Sequence, residues 1–193
     1  YFIGDVFEDE AFMRDVEYVN RKIREATQGG IVAIVGTPVF VPGRKGEDGW
    51  QRVINGAVVY ANGRYIGHRA KTLQPNYRMF DDDRRFLSLR KIAFEKGAAP
   101  AELLNPFDLA LKDGGSIRLG VILCEDMWHE NYPLNPVKIL AKKGADILVN
   151  ISASPWTWQK NRKRHEIVKA LAQTCHIPLV YVSNTGIQNT GKN

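Results

Sequence analysis

Cysteine is scarce in this sequence, which has only Cys124 and Cys175 among its 193 residues. Two cysteines so far apart do not form the disulfide framework of a small secreted domain, and we predict a reducing, cytoplasmic setting. No uninterrupted apolar run reaches membrane-spanning length, so we predict no transmembrane helix and no membrane partner. These residues include no basic-then-apolar stretch of the kind that directs secretion, so we do not expect a secreted protein. However, its first residue is Tyr1, which fits a chain that begins inside a longer protein.

Positive charge is in excess but is widely spread. The formal net charge is +6, and a basic surface attracts phosphate groups. The only dense basic cluster, residues 160–165 (KNRKRH), is typical of a solvated helix start. We therefore predict no nucleic-acid partner. The length and the 44% share of hydrophobic residues fit one domain with a substantial core.

The first half of the chain contains one clear helix and one clear hairpin. Residues 9–28 carry apolar side chains at three- and four-residue spacing, which predicts an amphipathic helix. Residues 31–36 predict a buried strand, and the prolines and glycines of residues 38–49 predict a loop. Asn62 and Gly63 separate two β-prone runs, and both residue types accept the positive φ of a tight hairpin turn.

The second half alternates strands with helices. Predicted strands at residues 117–123, 146–151 and 178–183 are separated by predicted helices at 136–143 and 159–176. We predict a short helix and then an irregular segment for residues 86–116. Strands that are apolar on both faces and alternate with helices indicate an α/β fold in which helices cover a sheet.

The two cysteines have different surroundings in the sequence. Cys175 lies on the apolar stripe of its predicted helix, so we predict a small core side chain. Cys124 directly follows an apolar strand, where α/β folds place their active sites. A sharp turn there also exposes backbone N–H groups that can hold an oxyanion. Cys124 is therefore a candidate nucleophile, with a buried structural thiol as the alternative.

Lys71 is a second candidate for chemistry. It ends a predicted strand just before a Pro-Asn turn. An ammonium beside a thiolate would stabilise it and later neutralise an oxyanion, although a solvated strand-end lysine has the same sequence pattern. The acidic triplet at residues 81–83 lacks the spacing of an EF-hand, and Cys124, Asp126 and His129 make a poor zinc set. We therefore predict no metal site.

Three stretches of the chain, in this order and spacing, resemble the nitrilase (carbon–nitrogen hydrolase) superfamily. Within it, the closest likeness is to the glutaminase domain of glutamine-dependent NAD synthetases. The stretches are residues 71–77 with 80–86 (KTLQPNY and FDDDRRF), 120–128 (GVILCEDMW) and 150–156 (NISASPW). The likeness extends over nearly the whole chain and is weakest between residues 86 and 116.

This resemblance implies a four-layer α-β-β-α sandwich with a Glu–Lys–Cys triad, in which Cys124 matches the nucleophile and Lys71 the lysine. The family's glutamate lies shortly before a Gly-Tyr pair, whose tyrosine Tyr1 resembles. We therefore expect the general base upstream of Tyr1 and the last strands of the fold beyond Asn193. Residues 1–193 would then be a carbon–nitrogen hydrolase domain that is truncated at both ends and inactive by itself.

The resemblance also implies residues that contact the substrate. Aromatic side chains would line the glutamine pocket, and polar ones would bind the charged end of the amino acid. The implied contacts are Tyr1, Tyr77 and Phe80 in the pocket, and Glu125, Ser154 and Lys160 at the charged end. Ordinary aromatic packing is the alternative for the first group. Asp82 stands where the family usually has glutamate and would orient the lysine.

The implied reaction is attack of the Cys124 thiolate on the side-chain amide of glutamine, followed by release of ammonia and hydrolysis of a thioester. A linked ATP-dependent domain would use the ammonia to amidate nicotinic acid adenine dinucleotide. ATP and magnesium are expected only in that domain, and no cofactor is expected in this one. The resemblance further implies a homo-oligomer. The alternatives are a free-standing aliphatic amidase or nitrilase, and a non-catalytic nitrilase-like module.

Overall fold

The structure is a computed structural model that describes residues 6–46, 49–77, 80–155 and 157–185. The described chain forms two compact units, each with its own sheet. The first unit contains the described residues up to Ala70 and the segment Gln74–Ser88. The second contains Lys71–Leu73 and Leu89–Thr185. In the described ranges, no helix is long and apolar enough to cross a membrane.

The first unit begins with the predicted amphipathic helix, α1 (Glu10–Ala26). The carboxylate of Asp9 caps it by accepting a hydrogen bond from the Ala11 N–H at 2.7 Å. A short 3₁₀ turn (Thr27–Gly29) follows and is capped by Gly30, whose φ of 90° suits a residue without a side chain. Met13 on the apolar face of α1 is buried against Phe86 and other core residues. The helix prediction is therefore confirmed.

The sheet of the first unit has three antiparallel strands, β1 (Val32–Lys45), β2 (Gln51–Ala61) and β3 (Arg64–Ala70), in the order β1-β2-β3. Asn62 and Gly63 have φ values of 50° and 72° and form the predicted hairpin turn. The loop predicted from residue 38 onward is wrong as far as Lys45, because Pro38 and Pro42 lie within β1. Among the described strands β1 pairs only with β2, and an edge strand accepts proline because one of its sides donates no ladder hydrogen bonds.

The second unit carries the strand–helix alternation that the sequence predicts. The four-residue helix α2 (Asp82–Arg85) still belongs to the first unit. The elements of the second unit are α3 (Leu89–Glu95), α4 (Pro100–Leu103), β4 (Phe107–Ala110), β5 (Ser116–Leu123), α5 (Pro136–Lys142), β6 (Ile147–Ser152), α6 (Lys160–Cys175) and β7 (Leu179–Ser183). The sheet order is β4-β5-β6-β7, with β4 antiparallel to β5 and the other neighbours parallel. The irregular segment predicted after the first helix of residues 86–116 is wrong in part, since it contains α4 and β4. Both elements have four residues, too few for a periodic pattern to be recognisable.

The core of the second unit lies where α5 and α6 pack against the sheet. Its buried side chains are Ile122, Met127, Val137, Leu140, Ala145, Leu148 and Leu171. Cys175 is half-buried and packs against this cluster, as predicted for a core residue. Burial raises the pKa of its thiol, which disfavours the reactive thiolate.

Gly120 lies in β5 at a place that has no room for a side chain. A Cβ there would lie 2.4 Å from Cδ2 of Leu148 and 3.2 Å from Cβ of Ala145. Leu148 is fully buried and has little space into which it could move. We expect Gly120→Ala to lower the free energy of unfolding by about 1–3 kcal/mol, the usual cost of overpacking. Urea denaturation measures this change, and Gly29→Ala is the control because a Cβ at Gly29 meets no atom within 4 Å. Equal losses in the two variants would contradict the prediction.

Candidate active site

Cys124 lies at the sharp turn that the sequence predicts after β5. The strand ends at Leu123, and the chain continues into the 3₁₀ turn Cys124–Met127. Cys124 itself has a φ of 43°, a left-handed conformation that costs about 1 kcal/mol in a residue with a side chain. The half-buried Cys124 therefore sits at the carboxyl end of a parallel strand, in a strained backbone of the kind that often occurs at functional sites.

Asn150 holds the Cys124 turn against the neighbouring strand β6. It lies opposite Ile122 in the parallel ladder, and its side chain is completely buried. Its Nδ2 donates a hydrogen bond to the carbonyl oxygen of Cys124 at 3.3 Å. Asn150 is not among the site residues predicted from the sequence. The available signal was a single polar residue inside an otherwise apolar strand, since a buried amide requires hydrogen-bond partners.

Asp126 joins the Lys71 segment to the Cys124 segment. Its carboxylate is fully buried, and Oδ1 accepts hydrogen bonds from the N–H groups of Thr72 at 3.0 Å and Leu73 at 2.7 Å. Oδ2 accepts a third bond from the Leu123 N–H at 3.1 Å. Burial raises the pKa of Asp126 from its ordinary 3.8 to about 6, although the three hydrogen bonds and the Lys71 ammonium act to lower it. The structure thus brings the two candidate segments to one carboxylate.

Lys71 is buried, with only 4% of its surface exposed. Its backbone carbonyl accepts a hydrogen bond from the Leu89 N–H at 2.9 Å, which anchors the segment that follows β3. The alternative of a solvated strand-end lysine is therefore wrong. A buried ammonium is unfavourable without a compensating negative charge, and Asp126 supplies one.

Glu125 follows Cys124 directly and is also buried, with 6% of its surface exposed. The hydroxyl of Tyr132 donates a hydrogen bond to Oε1 of Glu125 at 3.1 Å. Tyr132 is not among the site residues predicted from the sequence, because nothing in the local pattern shows that its side chain turns back to this carboxylate. A buried, oriented carboxylate next to the candidate nucleophile is suited to binding a cationic group of a substrate.

Ser154 and Lys160 follow the strand adjacent to β5. Both are half-buried, Ser154 in the segment after β6 and Lys160 at the first residue of α6. The Lys160 N–H donates a hydrogen bond to the Thr157 carbonyl oxygen at 3.1 Å. Because β5 and β6 are parallel, the segments that follow them leave the sheet at the same end, which is the carboxyl end where Cys124 lies.

The remaining predicted site residues belong to the first unit. The rings of Tyr77 and Phe80 pack edge-to-face with centroids 5.4 Å apart. Asp82 is almost completely buried at the start of α2, and its N–H donates a hydrogen bond to the Pro75 carbonyl oxygen at 3.3 Å. Tyr1 lies outside the described residues. The substrate-contacting and lysine-orienting roles of these residues stay predictions.

A metal centre finds no support in the part of the chain that the structure describes. Within those ranges, no three or more His, Cys, Asp or Glu side chains are grouped so that they could hold a metal ion. The two residues that follow Cys124, Glu125 and Asp126, are buried carboxylates, and the Lys71 ammonium acts on the second of them.

Comparison with known proteins gives one family and several relatives. The family model described as "Carbon-nitrogen hydrolase" matches residues 6–192. The glutamine-dependent NAD(+) synthetase of Synechocystis sp. is 27% identical over 190 residues, which cover 94% of this chain and 31% of that protein. The chain therefore spans about a third of the length of this relative.

Solved structures show the same fold. The glutamine-dependent NAD+ synthetase of Acinetobacter baumannii, in complex with ADP, matches with a TM-score of 0.71 at 24% identity, over 96% of this chain and 30% of that one. An amidase of the nitrilase superfamily from Nesterenkonia AN1 matches with a TM-score of 0.62 at 17% identity, over 91% of this chain and 56% of that one. With its two sheets flanked by helices, the chain has the predicted nitrilase-like α/β fold.

Proposed function

This chain belongs to the carbon–nitrogen hydrolase family, and we propose that it hydrolyses the side-chain amide of glutamine with Cys124 as the nucleophile. One observation carries the proposal. The buried Asp126 accepts hydrogen bonds from the N–H groups of Thr72, next to Lys71, and Leu123, next to Cys124, which supports a site that uses both the ammonium and the thiol. A thiol nucleophile and a fixed cation are the groups that acyl transfer from an amide requires.

The first half of the proposed reaction forms a covalent bond to Cys124. A glutamate base, expected upstream of Tyr1 from the family resemblance, takes the thiol proton. Sγ of Cys124 then attacks the amide carbon, and the carbonyl oxygen becomes a tetrahedral oxyanion. The Lys71 ammonium and the backbone N–H of Glu125 stabilise this charge. Each such donor lowers the barrier by about 3–4 kcal/mol in comparable sites.

The second half releases the two products. The C–N bond breaks, the nitrogen takes the proton from the base, and ammonia leaves a γ-glutamyl thioester on Cys124. Water, activated by the same base, attacks the thioester, gives glutamate and restores the thiol. We propose that the ammonia is used by an ATP-dependent synthetase domain that amidates nicotinic acid adenine dinucleotide. The similarity to glutamine-dependent NAD(+) synthetases supports this step, and ATP and magnesium would act in that domain.

Selection of glutamine would depend on charges around the nucleophile. The buried Glu125, oriented by Tyr132, is suited to the α-ammonium of an amino acid. Lys160 and Ser154, on the segment that follows β6, would bind the α-carboxylate. A simple aliphatic amide carries neither charge, so it gains no charge-assisted contact from these groups. Glu125 therefore favours glutamine over the free-standing amidase alternative.

Substrate preference tests the proposal. We expect the full-length protein to release ammonia from glutamine with a kcat/KM at least about 100-fold above that for propionamide, because only an amino acid offers charged groups to Glu125 and Lys160. An ammonia-coupled assay with glutamine, asparagine and propionamide measures the preference. Equal or faster hydrolysis of propionamide would identify an aliphatic amidase. No ammonia from any amide would identify a non-catalytic module.

A further inference from the structure

The proposed reaction assigns no role to Asp126, which is the most completely buried carboxylate of the second unit's site. None of its surface is exposed, and burying a carboxylate carries a large desolvation cost. Its partners are main-chain N–H groups, and those groups belong to segments as much as 54 residues away along the chain. A residue that served only to fill space would not need a charge at this position.

The two oxygens of Asp126 serve different segments. Oδ1 accepts both bonds from the lysine side, from the N–H groups of Thr72 and Leu73. Oδ2 accepts the bond from the nucleophile side, from the Leu123 N–H. Because a carboxylate group is rigid and planar, these three bonds set the separation between the residue after Lys71 and the residue before Cys124.

We propose that Asp126 is a positioning residue that holds the Lys71 ammonium at the place, relative to Cys124, where the oxyanion develops. This inference rests on the roles proposed above for Lys71 and Cys124. Asp126 touches neither substrate nor reacting atoms in this scheme. It acts through the backbone of both segments and through its charge beside the Lys71 ammonium.

The cost of the charge argues against a purely stabilising role. Burial raises the pKa of Asp126 to about 6, so the folded protein favours the protonated form more than the unfolded chain does. The stabilising contribution of such a group is present below pH 3.8 and is lost as the pH rises through about 6. At neutral pH the ionised carboxylate therefore lowers stability, which fits a charge that is kept for the site.

Replacement of Asp126 by asparagine distinguishes positioning of Lys71 from a purely stabilising role. The amide keeps the shape of the side chain and one oxygen for Thr72 and Leu73, but it loses the charge and the acceptor for Leu123. The matched control is Asp146→Asn. Asp146 is exposed and accepts a hydrogen bond from the Arg118 N–H at 2.7 Å, near the opposite end of β5. Both variants thus remove one charge and alter an acceptor of a β5 N–H group.

In the full-length protein we expect Asp126→Asn to lower kcat for ammonia release from glutamine about 10- to 100-fold, with KM within about threefold of wild type. Asp146→Asn should leave both constants unchanged. In a Lys71→Met background, Asp126→Asn should lower kcat by no more than about threefold further, because a residue that acts through Lys71 has no effect without it. Urea denaturation should show Asp126→Asn folded at neutral pH.

Each other outcome contradicts the inference. Wild-type kcat in Asp126→Asn, or full additivity with Lys71→Met, would exclude positioning through Lys71. An Asp126→Asn protein that does not fold would show a structural requirement instead. If wild-type protein released no ammonia from glutamine, the proposed function would fail separately. In that case, alkylation of Cys124 by iodoacetamide at neutral pH tests the positioning of Lys71 without any substrate. We expect the alkylation rate to be at least about fivefold lower in Asp126→Asn than in wild type. An unchanged rate would overturn the inference.

Discussion

Cys124→Ala is expected to reduce ammonia release from glutamine by about 10³- to 10⁶-fold in the full-length protein. The reason is chemical, because alanine has no atom that can form the thioester, and the remaining site only binds and polarises the amide. Cys124 contributes little to packing, since it is half-buried at a turn beyond the end of β5. The free energy of unfolding should therefore change by less than about 1 kcal/mol.

Cys175→Ala is the matched control for this experiment. Cys175 is also half-buried, but it packs against the core of the second unit, and burial raises the pKa of its thiol. We expect this variant to keep the wild-type kcat and to lose about 1 kcal/mol of stability. Steady-state assays of both variants, together with mass spectrometry of acid-quenched wild-type protein for a γ-glutamyl adduct on Cys124, give the comparison. Unchanged ammonia release by Cys124→Ala would rule out the proposed mechanism.

Lys71→Met is expected to lower kcat by about 10²- to 10³-fold while the KM for glutamine changes little. Methionine nearly matches the length and volume of lysine but carries no charge, so the variant removes an interaction that forms only when the oxyanion develops. Lys71→Arg should not restore activity. A guanidinium is larger and planar, and a side chain with 4% exposure has no room to rearrange around it.

Lys142→Met serves as the control for the loss of a lysine, because Lys142 is exposed on α5 in the same unit. Its kinetic constants should equal those of the wild type. Initial rates over a range of glutamine concentrations separate kcat from KM in all three variants. If Lys71→Met raised KM and left kcat unchanged, Lys71 would bind the substrate in its ground state, and its proposed role at the oxyanion would be wrong.

The family and the candidate nucleophile could be predicted from the sequence because both depend on short, ordered motifs. Residues 71–77, 120–128 and 150–156 carry the resemblance, and the matching family model covers residues 6–192. The turn at Cys124 follows from an apolar strand that stops abruptly. The burial of Lys71 could not be predicted in this way, since a strand-end lysine has the same local pattern whether it is solvated or buried.

Local structure could be predicted from neighbouring residues alone. The cap of α1 at Asp9 and the hairpin turn at Asn62 and Gly63 depend on the φ and ψ preferences and hydrogen bonds of residues close together in the chain. The length of β1 was different. Its prolines predict a loop, and only the pairing with β2 extends the strand to Lys45.

The contacts that hold the candidate site together become visible only in the folded chain. The carboxylate of Asp126 takes its hydrogen bonds from segments near Lys71 and near Cys124, and Asn150 ties the Cys124 turn to β6. From the sequence, Asp126 was considered only as a member of a poor zinc-binding set, and no role was predicted for Asn150. The physical reason is that burial and hydrogen bonding between distant segments depend on which parts of the chain fold against each other, whereas periodicity and turn preference depend on near neighbours alone.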